Sequence, residues 1–156
     1  MKILGIDPGT ATIGWAVLNA ENGSLSVDAY GSISTESNAS MSNRLEEIAD
    51  DIQEILYRYT PDDAAIEEIF FFKNQKTIIS VSQARGVLLL TLSRAGLTIA
   101  EYTPLQVKQS ITGYGRAEKK QVQEMVKSIL KLKSIPKPDD AADAIAIAIC
   151  HAQSKK

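Results

Sequence analysis

Lys2-Ile3-Leu4-Gly5-Ile6-Asp7-Pro8-Gly9 is a short apolar run that ends in an acid and a turn. Proline and glycine close it too early for a helix, so residues 2–7 read as a buried strand. A carboxylate at the end of a central strand points out of the sheet edge, where ligands approach. Pro8 fixes the exit of the chain, and Gly9 permits a tight turn there. A lone Asp-Pro-Gly is more often a turn acceptor than a reactive group. Asp7 therefore acquires chemical meaning only from partners elsewhere.

Outward from this strand, residues 11–20 form a second, with Ile13, Trp15 and Val17 on one face and Trp15 expected in the core. Gly23 turns the chain into a third run through Val27, Tyr30 and Ile33, which predicts an antiparallel meander. The period then changes. Leu45, Ile48, Ile52, Ile55 and Leu56 recur at helical spacing over residues 41–59, with Ser40 or Ser42 as the cap and Pro61 as the stop. Residues 63–69 read as a strand. Residues 76–95 read as a helix apolar around much of its circumference, which needs burial on more than one side, against its own sheet and, as one way of covering the rest, another subunit. A strand over 97–102 and a short helix over 104–111 come next. Gly113-Tyr114-Gly115 marks a turn, and helices over 117–131 and 139–153 finish the chain. Strands in a meander followed by alternating helix and strand predict a single α/β domain over residues 1–156, with a mixed five-stranded sheet flanked by helices. Strand order stays open.

Composition narrows the chemistry. Of 156 residues, 44% are hydrophobic, ordinary for a globular domain, and no stretch is apolar and long enough to span a bilayer. An acid follows the N-terminus too soon for a secretory signal, so a cytoplasmic enzyme or binding module is expected. One cysteine, Cys150, excludes an internal disulfide and a cysteine-based zinc site, and one histidine, His151, argues against a histidine-rich centre. Cys150 is expected to be inert, and His151 to sit near a helix end, where a cation is mildly favoured. Any metal must then be a hard cation on oxygen ligands. The net charge of −2 conceals an asymmetry: residues 1–72 hold 3 Lys/Arg against 13 Asp/Glu, and residues 73–137 hold 12 against 3. Such a basic segment suits a phosphate-binding face, although solvated helix faces would also account for it.

Two more acidic clusters can join Asp7. Glu67 and Glu68 end the apolar strand Ala64-Ala65-Ile66, and adjacent strand residues face opposite sides, so at most one joins Asp7. Asp139, Asp140 and Asp143 open the last helix after Pro136 and Pro138; Asp140 and Asp143 share a face, and Asp139 is placed to cap. The rest of that helix is small or apolar from Ala141 to Ile149, so it packs tightly and holds its acidic first turn in place. Each cluster alone reads as ordinary surface acid. Together they form what a divalent-metal site for phosphodiester hydrolysis needs.

With these residues in place, the chain resembles the RuvC family of Holliday-junction resolvases, which have a ribonuclease-H-like fold. The resemblance runs from Ile3 to Ala152 and rests on four segments in order: Leu4-Gly5-Ile6-Asp7-Pro8-Gly9-Thr10, Ala65-Ile66-Glu67-Glu68-Ile69-Phe70, Gln83-Ala84-Arg85-Gly86-Val87 and Asp140 through Ala148. Gln106-Val107-Lys108-Gln109 and Ala117-Glu118-Lys119 also match. It implies that Asp7, Glu67, Asp140 and Asp143 are the catalytic carboxylates and metal ligands, choosing Glu67 over Glu68 and Asp140 over Asp139. It implies two Mg²⁺ ions per site, with Mn²⁺ as a substitute. Lys108 and Lys119 would bind phosphates near the cut, with Lys119 also helping catalysis, and Phe70 would stack on unpaired junction bases.

Phe70-Phe71-Phe72-Lys73 cannot place all three rings in one core from a strand, so one is expected to be exposed, and Phe71 could share the stacking. Lys73, Arg85 and Lys120 complete the expected DNA-binding set. The implied partners are four-way junction DNA, a second copy in a homodimer, and branch-migration proteins of the RuvA and RuvB type. Three other readings remain: a ribonuclease-H-like nuclease on structured RNA, a non-catalytic junction-binding scaffold, and a nucleotide-binding lobe of the actin and sugar-kinase type. The last needs two lobes and a second phosphate loop, which this chain does not offer.

Overall fold

A computed structural model describes residues 1–9, 11–69 and 76–155. Five strands form one sheet: β1 (Lys2–Pro8), β2 (Thr12–Glu21), β3 (Ser24–Ser34), β4 (Asp63–Glu67) and β5 (Thr98–Tyr102), in the order β3-β2-β1-β4-β5. β1–β2 and β2–β3 are antiparallel, the expected meander, while β1–β4 and β4–β5 are parallel. Five helices complete it: α1 (Met41–Tyr59), α2 (Ile78–Arg94), α3 (Pro104–Thr112), α4 (Lys119–Ile129) and α5 (Asp139–Ser154). This is the mixed α/β architecture expected from the sequence. None of the described helices is long and apolar enough to cross a membrane.

The sheet has a core on each face because its strands alternate. Leu4, Ile6, Val17 and Ile66 pack with Ile48 and Ile52 of α1 and Leu88 and Leu92 of α2. On the other face Ile3, Leu18 and Ala65 pack with Val107 of α3, Val122 and Val126 of α4, and α5. Helix α5 is buried along most of its length and lies very close to the strands. A Cβ on Gly5 would sit 2.2 Å from the Ala144 carbonyl oxygen, and one on Gly14 would sit 1.9 Å from that of Asp140. Only glycine tolerates these approaches. Gly14 is also the cross-strand partner of Asp7, so the contact that seats the first turn of α5 sets it beside Asp7.

Local chemistry sets the helix starts. Ser40, rather than Ser42, caps α1 by accepting from Asn43 N–H. Thr103 and Gln106 cap α3 reciprocally, with Pro104 next. Glu118 N–H donates to the Gln121 side chain at 2.8 Å, which starts α4 at Lys119 rather than at residue 117. Two expectations need correction. Pro138, not Asp139, is the N-cap of α5; the Asp139 carboxylate turns outward to accept from Lys137 at 2.8 Å. Trp15 is half-buried instead of lying in the core, at the open side of the α1 face. Within one chain, helix α2 is covered on the side of Ala84, Leu88 and Leu92, while Ile79 and Leu90 stand 70% and 52% exposed, which leaves the expected second covering surface open.

Candidate active site

Three carboxylates converge where the strand ends meet α5. One oxygen from each of Asp7, Asp140 and Asp143 lies within 4.8 Å of the others, a grouping able to hold a metal ion. The parallel register supplies the fourth acid. Ile6 pairs with Ile66, so Asp7 and Glu67, each one residue further, end neighbouring strands with their side chains on the same face. Glu68 turns to the other side, beside Arg85 and Glu101. Thus the register itself selects Glu67 from the doublet. Glu67 borders the same cavity as Asp7 and Asp143, about 230 Å³ in volume, but stands outside the three-oxygen group.

The electrostatics are those of crowded, partly buried acids. Burial, then the charges of Glu67, Asp143 and Asp140, push the Asp7 carboxyl up to about 8. Asp143 is also raised, chiefly by burial, against the opposing hydrogen bond from Lys119. Like-charged buried carboxylates resist simultaneous ionisation, and a divalent cation on hard oxygen donors removes that conflict. The donor set therefore fits a divalent metal.

Two lysines line this cavity. Lys119 donates to Asp143 at 3.1 Å and lies 3.8 Å from Asp139. Burial opposes its charge, but the hydrogen bond to Asp143 and the charges of Asp143, Asp139 and Asp140 outweigh it and hold the ammonium above its ordinary range. A lysine in the first turn of a helix faces the positive end of the helix dipole. Its position is explained by the carboxylates opposite, not by helix stability. Lys108 reaches the cavity from α3, anchored by the Thr103–Gln106 cap.

The remaining expected DNA-binding residues are placed differently. Arg85 pairs with Glu101, is mostly covered, and borders a separate cavity with Glu68 and Ser82. Lys120 is exposed on α4. Phe70, Phe71 and Lys73 lie outside the described residues.

Thr12 also touches the acid set, through a contact that local sequence does not announce. Thr12 Oγ1 donates to Asp140 Oδ2 at 2.5 Å, fixing one oxygen of that carboxylate. Thr12 stands at the start of β2 and reads there as an ordinary strand residue, because the hydroxyl's acceptor lies 128 positions away.

Comparison with known proteins bears on the chain as a whole. Residues 3–151 match the family described as "Crossover junction endodeoxyribonuclease RuvC". The protein of that name from Syntrophomonas wolfei is 54% identical over 154 residues, covering 99% of this chain and 90% of the relative. Among solved structures, Thermus thermophilus RuvC superposes with a TM-score of 0.91 at 35% identity, covering 97% of this chain and 93% of that one. The same protein in complex with Holliday junction substrate gives 0.88 at 33% identity, with the same coverage.

Proposed function

This chain belongs to the RuvC family of crossover junction endodeoxyribonucleases, and on that premise we propose that Asp7, Glu67, Asp140 and Asp143 form the site with which it cuts Holliday junctions. The carrying observation is the meeting of the Asp7, Asp140 and Asp143 oxygens beside Lys119. We take Mg²⁺, two ions per site, as the metal, with Mn²⁺ able to replace it. Such ions supply Lewis-acid activation of the attacking water and neutralise charge at the reacting phosphate.

The protein's own groups do the rest. Asp7 and Asp143, carried by a strand end and a tightly seated helix, present fixed oxygens that need little rearrangement to bind a cation. Thr12 holds Asp140 in one orientation. Lys119, about half exposed at the cavity, keeps its charge and can offer it to a phosphate oxygen. Lys108 offers a second cation along the same wall. Together they offset the repulsion that an acidic cleft would exert on DNA.

Paired nicking of strands of like polarity requires two such sites, and a homodimer provides them. The open stripe of α2 supports this reading: Ile79, Gly86 and Leu90 lie on one face at helical spacing, and none of the described residues approaches Gly86 within 4 Å of a notional Cβ. A glycine between two exposed apolar residues lets another helix come close. Phe70 and Phe71 would stack on junction bases, with Lys73, Arg85 and Lys120 completing the DNA contacts. The place of action is the cytoplasm, alongside branch-migration proteins of the RuvA and RuvB type.

Cleavage of labelled four-way DNA, linear duplex and structured RNA, each with Mg²⁺ or EDTA, tests the proposal. Symmetric nicks in the four-way DNA alone, dependent on metal, are expected. Preferential cutting of the RNA, or an intact junction under conditions where an active control cuts it, would overturn the reading.

A further inference from the structure

Apart from Asp7 and Glu67, the acids of residues 1–72 lie away from the nuclease cavity. They concentrate on α1, where Glu46, Glu47, Asp50 and Glu54 are exposed and Asp51 is half-buried. DNA is not the natural neighbour of this helix. Between α1 and the edge of the sheet lies an open groove of about 550 Å³. Asp51, Glu54, Ile55 and Arg58 form one wall, spaced along a single helix face, and Trp15 and Ile33 contribute to the other.

The groove is built around rings. Trp15 faces Gly31 across the β2–β3 ladder, and a Cβ on Gly31 would sit 3.2 Å from three indole atoms. The glycine lets the indole lie against the backbone of β3. Tyr59 meets the indole with ring centroids 5.9 Å apart, and the Arg58 guanidinium lies 6.0 Å from the Tyr59 centroid. An arginine of the chain itself thus already uses one of these rings as a cation partner. Neither Asp51 nor Glu54 has an ion pair among the described residues. Burial, then Glu54 and Asp50, raise the Asp51 carboxyl above its ordinary range, as expected of an acid without a counter-charge.

We propose that this groove is a docking site for a partner protein and receives an arginine or lysine side chain from a basic segment of that partner. Aromatic walls accept the aliphatic stem and the cation face, and the two carboxylates accept its hydrogen bonds. Aromatic and arginine side chains commonly anchor protein interfaces, and rim acids steer a basic partner. The groove shares no lining residue with the catalytic cavity and opens on the α1 face, opposite α5. A partner seated there and a junction at the carboxylates would not compete. The inference does not depend on the nuclease reading.

Trp15 is the sole tryptophan, so its fluorescence reports on the groove alone. The probe is the peptide acetyl-Gly-Arg-Leu-Arg-Gly-amide, titrated into the full-length protein, beside a control with glutamate in place of both arginines. A saturable change with half-saturation at about 1 mM or below is expected for the basic peptide only. Asp51→Asn combined with Glu54→Gln should weaken it at least ~5-fold, in line with loss of charged hydrogen bonds. The double variant should keep its melting temperature and its junction cleavage. No saturable change, an equal response to the acidic peptide, or unaltered affinity in a folded double variant would overturn the proposal. So would a stronger response to a short DNA duplex, or self-association lost in the double variant, since each assigns the groove to another occupant.

Discussion

At the N-terminal end of α5, Asp140 and Asp143 face Asp7; near its C-terminal end, His151 and Lys155 face Asp63. Both are clusters of ionisable groups brought together by one helix crossing one sheet. Their electrostatics are opposite. Asp63 is 6% exposed, yet its oxygen accepts from Lys155 and lies 3.1 Å from His151 Nε2, while Tyr102 Oη lies 2.8 Å from His151 Nδ1. Burial would raise the Asp63 carboxyl, but the hydrogen bonds from Lys155 and His151 hold it below its ordinary range. Asp7, partly buried, has acids for neighbours and is pushed up to about 8. One end is internally satisfied and supports the fold. The other is satisfied only by something the protein must bind, as sites of function often are.

The largest expected effect tests the unsatisfied end. Asp7→Asn removes one metal ligand and one of the repelling charges at once. Junction cleavage should fall by at least ~10³-fold, because loss of a metal's transition-state stabilisation removes several kcal/mol. Stability without metal should move the other way. A carboxyl at about 8 in the folded protein and ~3.9 when unfolded contributes stability below pH ~4 that is lost as pH rises through about 8. In EDTA the wild type should therefore weaken across that window, and Asp7→Asn should weaken less, with Asp143 alone of the two still raised. Urea unfolding from pH 4 to 8 reads the difference, and parallel curves would contradict the contrast between the two ends.

A smaller effect is expected at the satisfied end. Asp63→Asn leaves Lys155 without its buried partner and should cost roughly 2–3 kcal/mol at pH 7, the scale of charged hydrogen bonds. Here the sign is reversed. With its folded value below ~3.9, Asp63 contributes stability above that pH and loses it as pH falls through the folded value. The gap between variant and wild type should thus close in strong acid. Cleavage at saturating Mg²⁺ should be unchanged, and a large loss of activity in a folded variant would show that the two ends are coupled.

The contrast also explains what the sequence could disclose. Asp7 and Asp143 stand out locally, one before a Pro-Gly turn and the other opening an alanine-rich helix. Choosing Glu67 over Glu68 takes strand register, which local pattern leaves open until Ile6 is paired with Ile66. The family resemblance made that choice, and the register gives its reason. Asp63 and His151 are 88 positions apart, so local pattern offers only a strand start and a helix-end cation. Gly14 likewise reads as an ordinary strand glycine, and only the approach of α5 gives its reason. The meander and the helices were legible because hydrophobic period is local. The exposed side of α2 was not, since an all-round apolar helix looks the same whether the fold or a second subunit covers it.

Thr12→Val provides the finest test, because it alters the preorganisation of the unsatisfied end without changing its charge. Valine keeps the shape of threonine and loses only the hydroxyl that donates to Asp140. If that bond does no more than satisfy a surface acid, metal affinity and cleavage should be untouched. If it holds Asp140 ready for the cation, the variant must restrict a freely turning carboxylate on binding, at about 1 kcal/mol. Mg²⁺ affinity by calorimetry should then weaken ~5-fold, with a matching rise in the Mg²⁺ needed for half-maximal cleavage. The rate at saturating metal should change little, and Thr12→Ser should restore affinity. Equal affinities for wild type and Thr12→Val would mean that seating α5 on Gly14 is enough to place the acid, and that the hydroxyl is incidental to it.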